Sequence, residues 1–123
     1  MKYPLRGEPI TNSLQEGSMP KLPRNYLNFQ KRFPDLAAAQ GEMGRLAKEA
    51  GPIDAKTCHL LQLAACIAMR SEGGVHSHVR RALEAGATKD EIFHTAALLI
   101  STVGFPATAA AFSWISDIVE KKS

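Results

Sequence analysis

Four histidines, two cysteines and three arginines near one turn are the residues of this chain best suited to chemistry. His59 heads a stripe at helical spacing that continues through Gln62, Leu63, Cys66 and Arg70. An imidazole on a mostly apolar stripe can exchange protons near neutral pH, which makes His59 an acid/base candidate. His76 and His78 stand two residues apart, so on a regular helix they point about 200° from each other. One is expected to face inward and the other solvent. His78 shares its face with Ala82 and Ala85 and is the inward candidate, whereas His76 goes with Val79 and Arg80. No metal is expected at these histidines or at His94.

Cys58 and Cys66 are eight residues apart, about 80° around a helix and about 12 Å along it. They cannot bridge each other there. Without a Cys-x-x-Cys pair, a redox role would have to use Cys58 or Cys66 as a single thiol; Cys66, on the His59 stripe beside Arg70, is the candidate, although a buried, inert cysteine is the favoured reading there. Arg70, Arg80 and Arg81 flank the turn Ser71–Gly74. They read either as solvated surface charge or as a cationic rim that captures a carboxylate near His78, with Ser71 and His76 as further substrate-binding candidates. No Gly-rich phosphate loop, nucleophile elbow or zinc knuckle is present in the sequence.

The elements that must position these residues are helices, since no strand-like alternation occurs anywhere. A first helix is expected over 25–32 and a second, Ala-rich, over 35–50, stopped by Gly51-Pro52. Asp54 caps a third that reaches Arg70 and is apolar on most of its circumference. Ser71-Glu72-Gly73-Gly74 reads as a break, followed by a helix over 75–85 that ends at Gly86. Thr88 and Glu91 make a capping box for a fifth helix running to Val103. Gly104-Phe105-Pro106 interrupts, and a last helix starts at Pro106. A straight hairpin turning at Glu72-Gly73 would set His78 opposite residue 67, about 12 Å from His59. On that geometry the two meet only if the helices bend or subunits share the site. The fifth and last helices are apolar nearly all round, more than so small a domain covers by itself. A homo-oligomer with these helices at its interfaces is therefore expected.

Length and composition agree with one soluble globular domain: 123 residues, 45% apolar and 22% charged. The longest uncharged run, 92–116, is broken by His94, Gly104 and Pro106, which argues against a membrane span. With two cysteines and no basic, then apolar, opening segment, a reduced cytoplasmic protein is expected. The net charge of +3 hints at nucleic acid until it is located. Residues 1–33 carry six bases against two acids; residues 34–123 carry nine against ten. The helical body is thus slightly acidic, and its sparse aromatics are not interleaved with bases, so a nucleic-acid partner is not expected. The excess belongs to residues 1–33, and within them residues 1–23 are a Pro- and Gly-rich stretch that reads as an extended N-terminal arm packed across a neighbouring subunit. Residues 24–123 are the helical domain.

Within that domain, Ile53–Thr57, the run His78-Val79-Arg80-Arg81-Ala82-Leu83-Glu84-Ala85-Gly86-Ala87, the start Thr88-Lys89-Asp90-Glu91-Ile92 and Val103–Ala107 carry a resemblance. Together they resemble the carboxymuconolactone decarboxylase family, which includes the alkylhydroperoxidase-D-like proteins. The resemblance implies an all-α helical bundle of the alkylhydroperoxidase-D-like type, assembled into trimers or hexamers. In the family's peroxidase branch a Glu, a Cys-x-x-Cys pair and a following His form a proton relay and redox couple. Those positions fall on His59, on Ser71 and Gly74, and on His78.

Both redox sulfurs are therefore absent while the His is kept, as in the decarboxylase branch. That branch implies an enzyme of the lyase type that removes CO₂ from a carboxylated lactone without a cofactor, the charge delocalising into the substrate. In this chain His78 would be the acid and His59 a second acid/base or orienter. Arg70 or Arg80 would hold the carboxylate. Thiol-dependent hydroperoxidase activity through Cys58 or Cys66, and a non-catalytic oligomer that binds a small ligand, are the alternatives.

Overall fold

The structure is a computed structural model, and it describes residues 24–120. The arm 1–23 lies outside the described residues. Seven helices and no strand occur among those described: α1 (Arg24–Arg32), α2 (Pro34–Glu49), α3 (Ala55–Ala68), α4 (Glu72–Glu84), α5 (Lys89–Leu98), α6 (Ile100–Val103) and α7 (Phe105–Val119). None is long and apolar enough to cross a membrane. The chain divides between Ile53 and Asp54 into two units.

In the first unit α1 packs on α2, and Pro34 supplies the pre-set φ of the first turn of α2. Only Ala37 and Gly41 of this pair are buried, so Phe29, Phe33, Leu36, Met43 and Leu46 stay exposed. Apolar side chains in such number cannot form a core from two helices alone.

The second unit has a core of its own. Leu63 and Ile67 of α3, Val75, Val79 and Ala82 of α4, Ile92 and Ala96 of α5, and Ala111, Ile115 and Ile118 of α7 are packed together. Removing a side chain of this size from water stabilises by about 1.5–3 kcal/mol. The small residues matter as much, because Ala82, Ala96 and Ala111 let the helix backbones approach. α4 lies against both α3 and α7, which makes it the central helix of this unit.

Local chemistry sets the helix ends. Asp54 caps α3, accepting from Thr57 N (3.2 Å) and Thr57 Oγ1 (2.8 Å), and these bonds hold its carboxyl below the usual range. The box expected at α5 is present in both directions: Thr88 Oγ1 accepts from Glu91 N (3.0 Å) and Glu91 Oε1 from Thr88 N (2.9 Å). Lys56 Nζ lies 3.1 Å from Glu91 Oε2, tying the first turn of α3 to that of α5.

Three boundaries differ from the sequence expectation. α4 starts at Glu72 and not at residue 75, because Ser71 is its N-cap and Gly73 and Gly74 are wound into its first turn. The expected fifth helix is split at Leu99 into α5 and α6. α7 begins one residue before Pro106, following Gly104 at φ 97, a conformation that favours glycine.

Candidate functional site

α3 and α4 are joined by Met69, Arg70 and Ser71 only. Arg70 takes the left-handed conformation, φ 57, and is the only non-glycine residue with positive φ among those described. Ser71 N donates to Cys66 O (2.9 Å) and Arg70 N to Ile67 O (3.0 Å), the pattern that ends a helix and reverses the chain at once. The second helix follows immediately, since Ser71 Oγ accepts from Gly74 N at 3.1 Å. The helices are also close. A Cβ on Gly74 would stand 2.6 Å from Cys66 Sγ and 3.2 Å from Cys66 Cβ. Only a hydrogen fits there.

This turn decides where the histidines go. It is centred on Arg70, two to three residues earlier than the spacing argument assumed. In a hairpin so centred, His78 lies opposite residue 62 and about 4.5 Å of helix rise from His59. Two imidazoles span that gap. His59 Nδ1 lies 3.3 Å from His78 Nδ1, with ring centroids 5.5 Å apart and planes inclined by 37°. The expected 12 Å separation is thus corrected, and one chain supplies both rings without a second subunit.

His59 is 1% exposed and His78 half-buried. One ring is sealed in the core of the unit and the other reaches towards the outside. A contact between two Nδ1 atoms is a hydrogen bond only if one carries a proton and the other a lone pair. A single proton held in that contact would make it such a bond, an arrangement that can deliver a proton and take one back.

The remaining candidates take other places. Arg70 is exposed at the end of the hairpin, eight residues and about 12 Å of helix rise from His78. Ser71 uses its hydroxyl as the cap of α4. Arg80 is 4% exposed and lies two residues from His78, about 200° around α4. Burial, then the charge of Arg81, pushes its guanidinium below the ordinary value. Cys66 is buried and its thiol is pushed up by desolvation, the opposite of what a reactive thiolate requires.

His76 is half-buried and does not simply face solvent, because α7 packs along that side of α4. Its Nε2 lies 3.0 Å from Asp117 Oδ2. Glu72 completes a trio with them, the three ligand-type atoms all within 4.8 Å of one another. Sequence reasoning missed this group. With 71–74 taken as a break, Glu72 did not count as helical. Once α4 includes it, Glu72 and His76 are four residues apart on one face, a signal that was present in the sequence. Asp117 could be found only from the packing of α7.

Comparison with known proteins agrees with this architecture. No curated protein matches the chain. Among solved structures, a carboxymuconolactone decarboxylase family protein from Legionella pneumophila superposes with a TM-score of 0.64 at 23% identity, covering 76% of this chain and 86% of its own. A protein from Burkholderia xenovorans, named as a carboxymuconolactone decarboxylase, gives 0.61 at 24% identity, covering 80% of each. Likeness at such identities speaks to the fold. The sequence profile of the carboxymuconolactone decarboxylase family matches residues 34–117, which takes in α2 to α5, both histidines of the pair and most of α7. The chain belongs to the carboxymuconolactone decarboxylase family.

Proposed function

We propose that this protein carries out cofactor-independent acid/base chemistry of the decarboxylation type on a small carboxylated lactone or a related acid, with His78 and His59 as its proton-handling pair. The observation that carries the reading is the 3.3 Å contact between their Nδ1 atoms, one ring buried and one half-buried. Loss of CO₂ leaves negative charge that an unsaturated lactone delocalises, and a carbon that must then be protonated. His78, the more accessible ring, delivers that proton, while the buried His59 fixes its orientation and the sharing of the proton between them. Arg70, exposed at the end of the same hairpin, is assigned the substrate carboxylate in preference to Arg80, which lies around α4 from His78.

A homo-oligomer, trimer or hexamer, accompanies this reading. The exposed Leu98, Ile100, Phe105 and Phe112 on α5, α6 and α7 support it, as do the apolar side chains left open on α1 and α2.

A UV assay over a panel of carboxylated lactones tests the chemistry. Turnover is expected, falling by about 10²–10⁴ in His78→Ala. Turnover unaffected by that substitution would overturn the site. Hydroperoxide consumption with a thiol reductant, lost in Cys66→Ser, would favour the redox alternative, against which the burial of that thiol weighs. A ligand found by thermal shift without any turnover would favour a binding protein.

A further inference from the structure

On the side of α4 away from His78, three side chains of metal-ligating type converge from two helices. Glu72 stands in the first turn of α4, His76 one turn later, and Asp117 near the end of α7. Their ligand atoms lie within 4.8 Å of one another, with His76 Nε2 and Asp117 Oδ2 at 3.0 Å. The spacing of four residues fixes the first two on one face, and the packing of α4 on α7 brings in the third.

Electrostatics point the same way. Glu72 has no hydrogen bond or ion pair among the described residues, and no described lysine or arginine pairs with Asp117. Two exposed carboxylates therefore stand close together with an imidazole between them, and a cation bound among them would offset their mutual repulsion. We propose that Glu72, His76 and Asp117 bind a divalent transition-metal ion. One imidazole nitrogen and two carboxylate oxygens suit zinc or a similar borderline ion, with water completing the shell. Donors on a tetrahedral ion with bonds of about 2.0–2.2 Å are a little over 3 Å apart, so modest side-chain rotation closes the site.

The consequence is mechanical. The ion would clamp the first turn of α4, which contains Gly73 and Gly74 and is a poor helix former, onto the end of α7. Because His76 and His78 face about 200° apart, the site is separate from the proton-sharing pair, and its existence does not depend on the proposed reaction.

Equilibrium dialysis of the full chain against Zn²⁺, with thermal melting in zinc and in chelator, tests the proposal. One Zn²⁺ per chain and a higher melting temperature in zinc are expected. Glu72→Gln and His76→Ala should each weaken binding by about tenfold or more, as should Asp117→Asn. His59→Gln and Cys66→Ser should leave it unchanged. Glu72 is exposed and unbonded, so its substitution reads the site without a question about folding. Absence of saturable binding at millimolar zinc would overturn the proposal. So would binding that survives both Glu72→Gln and His76→Ala, or that is lost in His59→Gln or Cys66→Ser instead.

Discussion

His59 and His78, nineteen residues apart in the chain, face each other through like atoms, Nδ1 to Nδ1, at 3.3 Å. Two neutral rings of the same tautomer cannot do this favourably: two protons or two lone pairs would collide. Long-range ¹H–¹⁵N spectra of the imidazoles, recorded where both rings are neutral, should therefore show one Nδ1–H and one bare Nδ1. His78→Ala should release His59 from that constraint and move its ¹⁵N shifts. Two rings that both carry their proton on Nε2 would rule out the shared-proton pair.

The helical class, the α5 capping box and the candidacy of both histidines were legible in the sequence, because each depends on local spacing. The meeting of the rings was not legible. It depends on a three-residue reversal at Arg70, where sequence rules look for glycine, and the Gly73-Gly74 pair next to it gave a misleading stop signal. Gly74 is there for interhelical room and not to end a helix. Glu72 was hidden by the same misreading, and Asp117 by its distance in the chain.

Arg70 at φ 57 is strained by the crowding of its Cβ against the following carbonyl, at a cost of about 1–2 kcal/mol. Arg70→Gly should raise stability by about 1 kcal/mol in urea denaturation, while Arg70→Ala should not. Keeping an arginine here makes sense if its guanidinium is used. In the lactone assay, Arg70→Gly should then raise KM. A glycine variant no more stable than the alanine one would show that the turn is not governed by this conformation.

The two adjacent glycines should respond oppositely. An added Cβ at Gly73 meets nothing within 4 Å, whereas at Gly74 it meets Cys66 Sγ at 2.6 Å and Ser71 Oγ at 2.8 Å. Gly73→Ala should stabilise by about 0.5–1 kcal/mol through helix propensity. Gly74→Ala should destabilise by about 1–3 kcal/mol through overpacking. Part of that loss should return when Cys66→Ala is added, because the sulfur is the nearest obstacle. A double-mutant cycle showing no coupling would place the strain elsewhere.

Acid should loosen the junction of α3 and α5. The backbone N–H of Thr88, then Lys56, holds the Glu91 carboxyl below its ordinary value. A carboxyl that is more acidic folded than unfolded stabilises the fold when ionised. That contribution is whole above the unfolded value of about 4.3 and disappears as pH falls through the folded value. Asp54, lowered by its bonds to Thr57, behaves in the same direction on the neighbouring helix start. Glu91→Gln keeps an acceptor for Thr88 N but removes the charge, so urea midpoints measured from about pH 6 down to pH 3 should decline less steeply than in the parent. Adding Asp54→Asn should flatten the decline further. An acid limb as steep in the double variant as in the parent would mean that these two helix starts do not set the acid sensitivity of the unit.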